Sequence, residues 1–380
     1  MKTLKVDWDN LDSGMYRMPG EFEPHDATFL IWPWRPGSWG RDLNDIYDAY
    51  VQLVAAIAPR EDVVVLANRE SFCNAQWMLK GATTQIDEEL FEKIYIVECE
   101  NDDAWARDTG ATFVFDTHSK KRIGIDWGFN AWGGTYNGLY AHYENDICVA
   151  SNMCKMLDDD CIDATDFILE GGSIHADGEG TLITTKECLL SKGRNSNLSQ
   201  EEIENRLKKS LGVKKIIWLP YGIYNDETDG HVDNICTFVE PGKVLLAWTD
   251  DENDPQYDRS VADLKVLEQE TDACGRKIEV IKLPIPKKPI ILTKEEVEAY
   301  DFEEGEDVRE PGERLAASYV NHYIINDAVI VPIFNDVMDD EVIRILSKCY
   351  KGRQIIPIYA RAIIAGGGNI HCITQQVPQV

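Results

Sequence analysis

The chain has 380 residues, with 38 Lys or Arg against 67 Asp or Glu and a formal net charge of −29. With no clustered basic stretch, that balance excludes the counterion-displacing grip by which nucleic acid is held. A negative field suits either plain solubility or a positively charged small ligand, and charge alone leaves both open.

At 44% hydrophobic and 28% charged residues the composition is that of a globular protein able to bury a sizeable core. No linker divides it, so a single domain over 1–380 is expected. The opening residues lack a signal-peptide apolar stretch, and no run approaches the roughly 18 apolar residues that span a bilayer, so a cytoplasmic protein without membrane contact is expected. The ten cysteines are dispersed from Cys73 to Cys372 and read as mostly reduced and buried. There is no Cys-x-x-Cys, His-Glu-x-x-His, Walker loop or Gly-x-Gly-x-x-Gly, so neither metal nor nucleotide is expected as a cofactor.

In chain order, Leu43, Ile46, Tyr47, Tyr50, Val51, Val54 and Ile57 predict a helix over 42–58 stopped by Pro59, followed by a strand over 63–67. A helix over 141–157 precedes a strand over 167–169. Ser199 and Glu202 stand in capping-box register at the start of a helix that closes at Gly212, ahead of a strand at 216–219. Residues 234–239 and 244–248 read as a hairpin joined at 240–243, and a helix over 339–350 leads to a strand at 355–358. Such alternation is a mixed α/β chain. The 283–313 segment, with Pro284, Pro286 and Pro289 and then ten acids between Glu295 and Glu313, is expected as an exposed excursion, either a lid or a solvated insertion.

One self-similarity stands out. Gly171-Gly172-Ser173-Ile174-His175 and Gly367-Gly368-Asn369-Ile370-His371 share four of five positions at predicted strand entries, with Gly230-His231-Val232-Asp233 a weaker cousin. Repeated turns suggest repeated units whose turn residues converge. Four polar clusters lie at such turns, around Trp105 and Asp108, Glu170, Asp229 to Asp233, and Asn369 to Cys372. Together they offer carboxylates, a histidine and a thiol.

That set suits nucleophilic attack on a cation. A guanidinium is a poor electrophile with a planar N–H fork that two carboxylates can grip; a thiolate can attack across the plane while a histidine protonates the departing ammonia and then activates water. Each residue also has a plainer reading. Cys372 can be a small buried hydrophobe, His231 a turn histidine, Asp108 the ion-pair partner of Arg107, Glu170 a turn opener, and Trp105 either core or a cation-π face.

The chain resembles the agmatine deiminases of the guanidine-modifying pentein superfamily. The resemblance rests on 17–25 (Arg-Met-Pro-Gly-Glu-Phe-Glu-Pro-His), Ile31-Trp32-Pro33, 101–110 (Asn-Asp-Asp-Ala-Trp-Ala-Arg-Asp-Thr-Gly), Leu169-Glu170-Gly171-Gly172, 228–233 (Thr-Asp-Gly-His-Val-Asp) and 366–376 (Gly-Gly-Gly-Asn-Ile-His-Cys-Ile-Thr-Gln-Gln). Ala111 departs from the family's usual Pro. The resemblance implies an α/β pentein propeller, with five αββαβ-type modules about a pseudo-fivefold axis. It implies Cys372 as nucleophile, His231 as general acid and base, Asp108 and Asp233 as guanidinium clamp, Glu170 orienting His231 and approaching the substrate, and Trp105 lining the pocket. The implied reaction is cofactor-free hydrolysis of agmatine to N-carbamoylputrescine and ammonia, a step of polyamine biosynthesis toward putrescine, through a cysteine thiouronium. The net charge favours agmatine over arginine, whose α-carboxylate wants a cation. Deimination of arginine or peptidylarginine is the alternative, and a non-enzymatic pentein binding protein is the rival from another class. A homo-oligomer is also expected.

Overall fold

A helix forms over Asn44–Ile57 in the computed structural model, which describes residues 1–81, 92–306 and 308–380. Its buried residues Ile46, Ala49, Tyr50, Leu53, Val54 and Ile57 recur at the helical repeat, giving one apolar stripe that packs on the sheet beneath. The helix Gln200–Leu211 starts where both halves of the Ser199–Glu202 capping box are made. It stops at Gly212, whose φ of 68° places it in the left-handed region that glycine enters without strain. A cap of this kind contributes about 1 kcal/mol.

The strands fall into five sheets with one local plan: two antiparallel strands, a helix, then a third strand parallel to the second. The first has Thr112–Asp116, Arg122–Gly128 and Asp160–Ile168, and the second Ile174–Ala176, Thr181–Thr185 and Lys215–Leu219. The third has Cys236–Glu240, Lys243–Trp248 and Glu279–Pro284, and the fourth Tyr323–Ile325, Ala328–Ile333 and Gln354–Tyr359. The fifth joins distant parts of the sequence, because Thr374–Pro378 pairs antiparallel with His25–Ile31, which is parallel to Asp62–Ala67. The crossover helices are Val149–Leu157, Gln200–Leu211, Pro255–Gln269, Asp339–Cys349 and Asn44–Ile57. The middle strands are covered on both faces, so they read as continuous apolar runs such as Val329-Ile330-Val331. This is the pentein α/β fold that the resemblance implies, built from five repeats that no longer resemble one another residue by residue.

Three element boundaries differ from the sequence reading. The helix predicted over 141–157 starts only at Val149, after a 3-10 turn over Asp146–Cys148, because Asp146 is buried and its carboxylate accepts the N–H groups of Asp102 and Asp103. The strand predicted at 167–169 is Asp160–Ile168, its early half hidden from pattern reading by alternating acids. Asn234 belongs to a 3-10 turn that enters the hairpin, whose first strand begins at Cys236. All ten cysteines are free thiols, and Cys99, Cys154, Cys161, Cys188, Cys236 and Cys372 are buried. Among the described residues no helix is long and apolar enough to cross a membrane.

Candidate active site

Each repeat is entered by a turn, and the five turns are stitched together. Arg107 N–H donates to Cys372 O at 3.1 Å, Gly172 N–H to Asp108 Oδ1 at 2.9 Å, and His371 N–H to Asn321 Oδ1 at 2.9 Å. Asp108, Glu170, His231 with Asp233, Asn321 and Cys372 are thus the contributions of five successive repeats to one hub. The polypeptide can approach this closely only where side chains are missing. A Cβ on Gly172 would lie 2.6 Å from His231 Nδ1, 2.9 Å from Asp108 Oδ1 and 3.0 Å from Asp233 Oδ2. One on Gly368 would lie 2.4 Å from Trp105 Cζ3 and 3.1 Å from Cys372 Cβ.

All six residues singled out from the sequence meet here and all are buried. A cavity reaches Trp105, Asp108, Gly368 and Cys372 directly, while Asp233, His231 and Glu170 lie just beneath that floor. Asp108 Oδ2 accepts the Trp132 indole N–H at 2.8 Å and sits 3.8 Å from His231 Nδ1. Glu170 stands on the other side of the same ring, 3.8 Å from Nε2, and is itself paired with the buried Arg194 at 2.8 Å. Asp233 Oδ2 accepts from His371 Nδ1 at 2.9 Å and lies 3.7 Å from Cys372 Sγ, leaving its Oδ1 without a hydrogen-bond partner among the described residues. The plainer ion-pair reading of Asp108 does not hold, since Arg107 turns instead to Gln376 and to Glu21.

Buried charges set the protonation states. Burial disfavours a charged His231, but Asp108, Cys188 and Glu170 outweigh it and lift its pKa well above the ordinary histidine value. Burial pushes the Cys372 thiol well up, and Asp233 and Asp108 push further by repelling the thiolate. Burial, opposed by His231 and reinforced by Asp233 and Glu170, raises Asp108, whereas His371 overcomes the burial of Asp233 and holds it low. The hub therefore gathers negative charge around a protonated thiol, with an imidazolium close by. A bound cation would reverse the terms that keep the thiol protonated.

Aromatic and acidic walls complete the cavity. Trp105 stacks on Trp39 at 4.9 Å and meets Trp132 edge to face at 6.4 Å, and its N–H is held by Asp103 at 2.9 Å. Trp105 is thus at once core and cavity wall. Trp132 was not legible in the sequence; it follows Ala131 in a turn where both non-glycine residues have positive φ, 53° and 62°. Strain of this kind persists where the surroundings demand it. Phe302, Glu306, Val308, Arg309 and Glu313 also line the cavity, so described residues from the end of the 283–313 segment form part of the site's wall. Arg309 ties it down through Glu227 at 2.7 Å and Gly366 O at 2.8 Å.

The Gly-Gly-x-Ile-His echo is real but out of register. His175 lies inside a strand, whereas His371 precedes one. Neither lines the cavity above; both turn toward Glu21, which His371 Nε2 meets at 2.7 Å and His175 Nε2 at 3.8 Å.

A thiol, an imidazole and carboxylates drawn from successive repeats of five like sheets thus meet in one hub. The chain belongs to the Porphyromonas-type peptidyl-arginine deiminase family, whose profile matches residues 17–378. A Selenomonas ruminantium protein provisionally named an agmatine deiminase is 54% identical over 367 residues, covering 97% of this chain and 96% of its own. The solved agmatine deiminase of Enterococcus faecalis is 39% identical and superposes with a TM-score of 0.90 over 96% of each chain. A Cys-to-Ser variant of the C. jejuni agmatine deiminase, solved with substrate bound, is 28% identical with a TM-score of 0.75, covering 96% of this chain and 97% of its own.

Proposed function

We propose that the protein is an agmatine deiminase, hydrolysing agmatine to N-carbamoylputrescine and ammonia through a covalent intermediate on Cys372. The observation that carries this reading is the Cys372 thiol at the floor of a cavity, beside the carboxylates of Asp108 and Asp233. The guanidinium is gripped by Asp108 and the unpartnered Oδ1 of Asp233, and its charge lowers the pKa of the thiol at the moment of binding. The thiol gives its proton up to solvent, and the thiolate attacks the central carbon. His231, held as imidazolium by Asp108 and Glu170, gives its proton to the departing nitrogen as the C–N bond breaks, leaving a thiouronium and ammonia. The neutral His231 then takes a proton from water as its oxygen bonds to the same carbon. The C–S bond breaks to return the thiol and release the ureido product.

Agmatine fits the far end of the cavity better than arginine. Arg309, which lines the cavity, is engaged by Glu227, and Arg35 behind it is engaged by two residues that do line it, Glu306 and the Tyr140 ring, so neither is free for an α-carboxylate. Glu313 also lines the cavity and has no cationic partner among the described residues, which suits an ammonium. The tethered segment in the cavity wall favours a free small substrate over a peptide. Ammonia release from agmatine, free arginine and a peptidyl arginine, each with and without chelator, tests this. Agmatine should lead in kcat/KM by on the order of 100-fold or more, and a preference for either other substrate would overturn the assignment.

The close approach of Gly172 gives a further prediction. Gly172→Ala should displace the His231 ring and lower kcat by about 100-fold, as a misplacement near 1 Å does, and the overpacked methyl should also lower the melting temperature by a few degrees. Unchanged kcat would show that the imidazole position is not critical.

A further inference from the structure

The fourth repeat supplies no residue to the reaction as described, yet its entry turn reaches the nucleophile. Asn321 is fully buried in that turn. Its Oδ1 accepts the backbone N–H of His371 at 2.9 Å. A backbone N–H can only donate, so the amide oxygen faces His371 and the NH₂ group faces the other way. There it meets Cys372 Sγ at 3.3 Å. The thiol proton has an alternative acceptor in Oδ1 at 3.6 Å, but that contact is longer, is shared with the His371 N–H, and ends once the sulfur is ionised. The Nδ2 contact has the polarity a thiolate needs.

We propose that Asn321 is a catalytic residue, its Nδ2–H donating to Cys372 Sγ and stabilising the thiolate both as it attacks and as it leaves. The proposal rests on Cys372 being the nucleophile. Every ionisable group packed around the sulfur bears on the argument. Asp233 and Asp108 oppose the thiolate, and His371 and His231, both with pKa raised above the ordinary histidine value, stand one residue further out, against Asp233 and Asp108 respectively. Against two carboxylates, the backbone N–H of Asn369 and the Asn321 amide are the favourable hydrogen bonds to the sulfur. The same donor serves twice. In the first half-reaction the C–S bond forms from the sulfur lone pair, and in the second that pair returns to sulfur as the bond breaks.

The test is the pH dependence of Cys372 alkylation by iodoacetamide, followed by peptide mass spectrometry so that the exposed Cys73, Cys148 and Cys274 do not interfere. Asn321→Ala should move the Cys372 titration alkaline by about one unit, a roughly tenfold loss of alkylation at neutral pH. Its kcat for agmatine should fall at least as much, with KM nearly unchanged. Asn321→Asp keeps the acceptor for His371 N–H but replaces the donor with a carboxylate, so it should move the titration further in the same direction; if the alanine variant does not fold, this near-isosteric variant decides alone. A Cys372 titration that superimposes on that of the parent protein in a folded variant would overturn the role of Asn321. Failure of the deiminase reading itself looks different, since the parent protein would then release no ammonia from agmatine, whatever the Cys372 titration does in the Asn321 variants.

Discussion

Cys372→Ala is expected to end ammonia release from agmatine, with a loss on the order of 10⁴-fold or more. Binding should survive, because the carboxylates of Asp108 and Asp233 and the walls from Trp105 and Trp132 remain. Calorimetric titration with agmatine checks this without interference from turnover. The alanine variant also removes the group whose ionised form the two carboxylates repel, so agmatine affinity can hold or improve while chemistry stops. A variant that releases ammonia at the parent rate would place the nucleophile elsewhere and sink the mechanism. A variant that loses both binding and turnover while still folded would make Cys372 part of the binding surface rather than the attacking group.

Asp233→Asn should separate two properties that usually change together. Removing the carboxylate takes away one half of the guanidinium clamp, so kcat/KM for agmatine should fall on the order of 10³-fold, as expected when a charge-assisted contact to the reacting group is lost. Burial remains the larger cause of the raised Cys372 pKa, but Asp233 is the next in size, and its removal lowers that pKa. Alkylation of Cys372 by a neutral reagent at neutral pH should therefore become faster in a nearly dead enzyme. The opposite result, slower alkylation, would mean that Asp233 Oδ2, 3.7 Å from the sulfur, acts mainly as the acceptor of the thiol proton.

How much of this was legible in sequence follows from what each residue needs. Helices such as Asn44–Ile57 and Gln200–Leu211 show because burial repeats with the helix period and because caps are local. Asp108, Glu170, His231, Asp233 and Cys372 sit in stretches whose polar and glycine content is odd for strand entries, so composition drew attention to them. The resemblance, rather than spacing, supplied their roles. Asn321 and Trp132 carried no such signal. The stretch Tyr319-Val320-Asn321-His322-Tyr323 reads as an ordinary strand entry, and the importance of its amide lies in a sulfur 51 residues away. Trp132 shows itself only through the positive φ of two successive non-glycine residues, which no pattern of residue types announces. The echoed histidines failed in the other direction. His175 and His371 look like active-site repeats, but their strands begin at different offsets and both rings turn to Glu21.

The pairing of Thr374–Pro378 with His25–Ile31 bears on how the molecule assembles. Three of the other sheets join strands near in sequence and the first also reaches back to Thr3–Lys5 and Tyr16–Arg17, whereas this one must close a loop over most of the chain, the costliest contact in conformational entropy and the slowest to find. Cys372 stands two residues before that last strand. On dilution from denaturant, far-ultraviolet ellipticity should recover ahead of deimination, the lag marking the time a nearly finished ring spends without its sulfur in position.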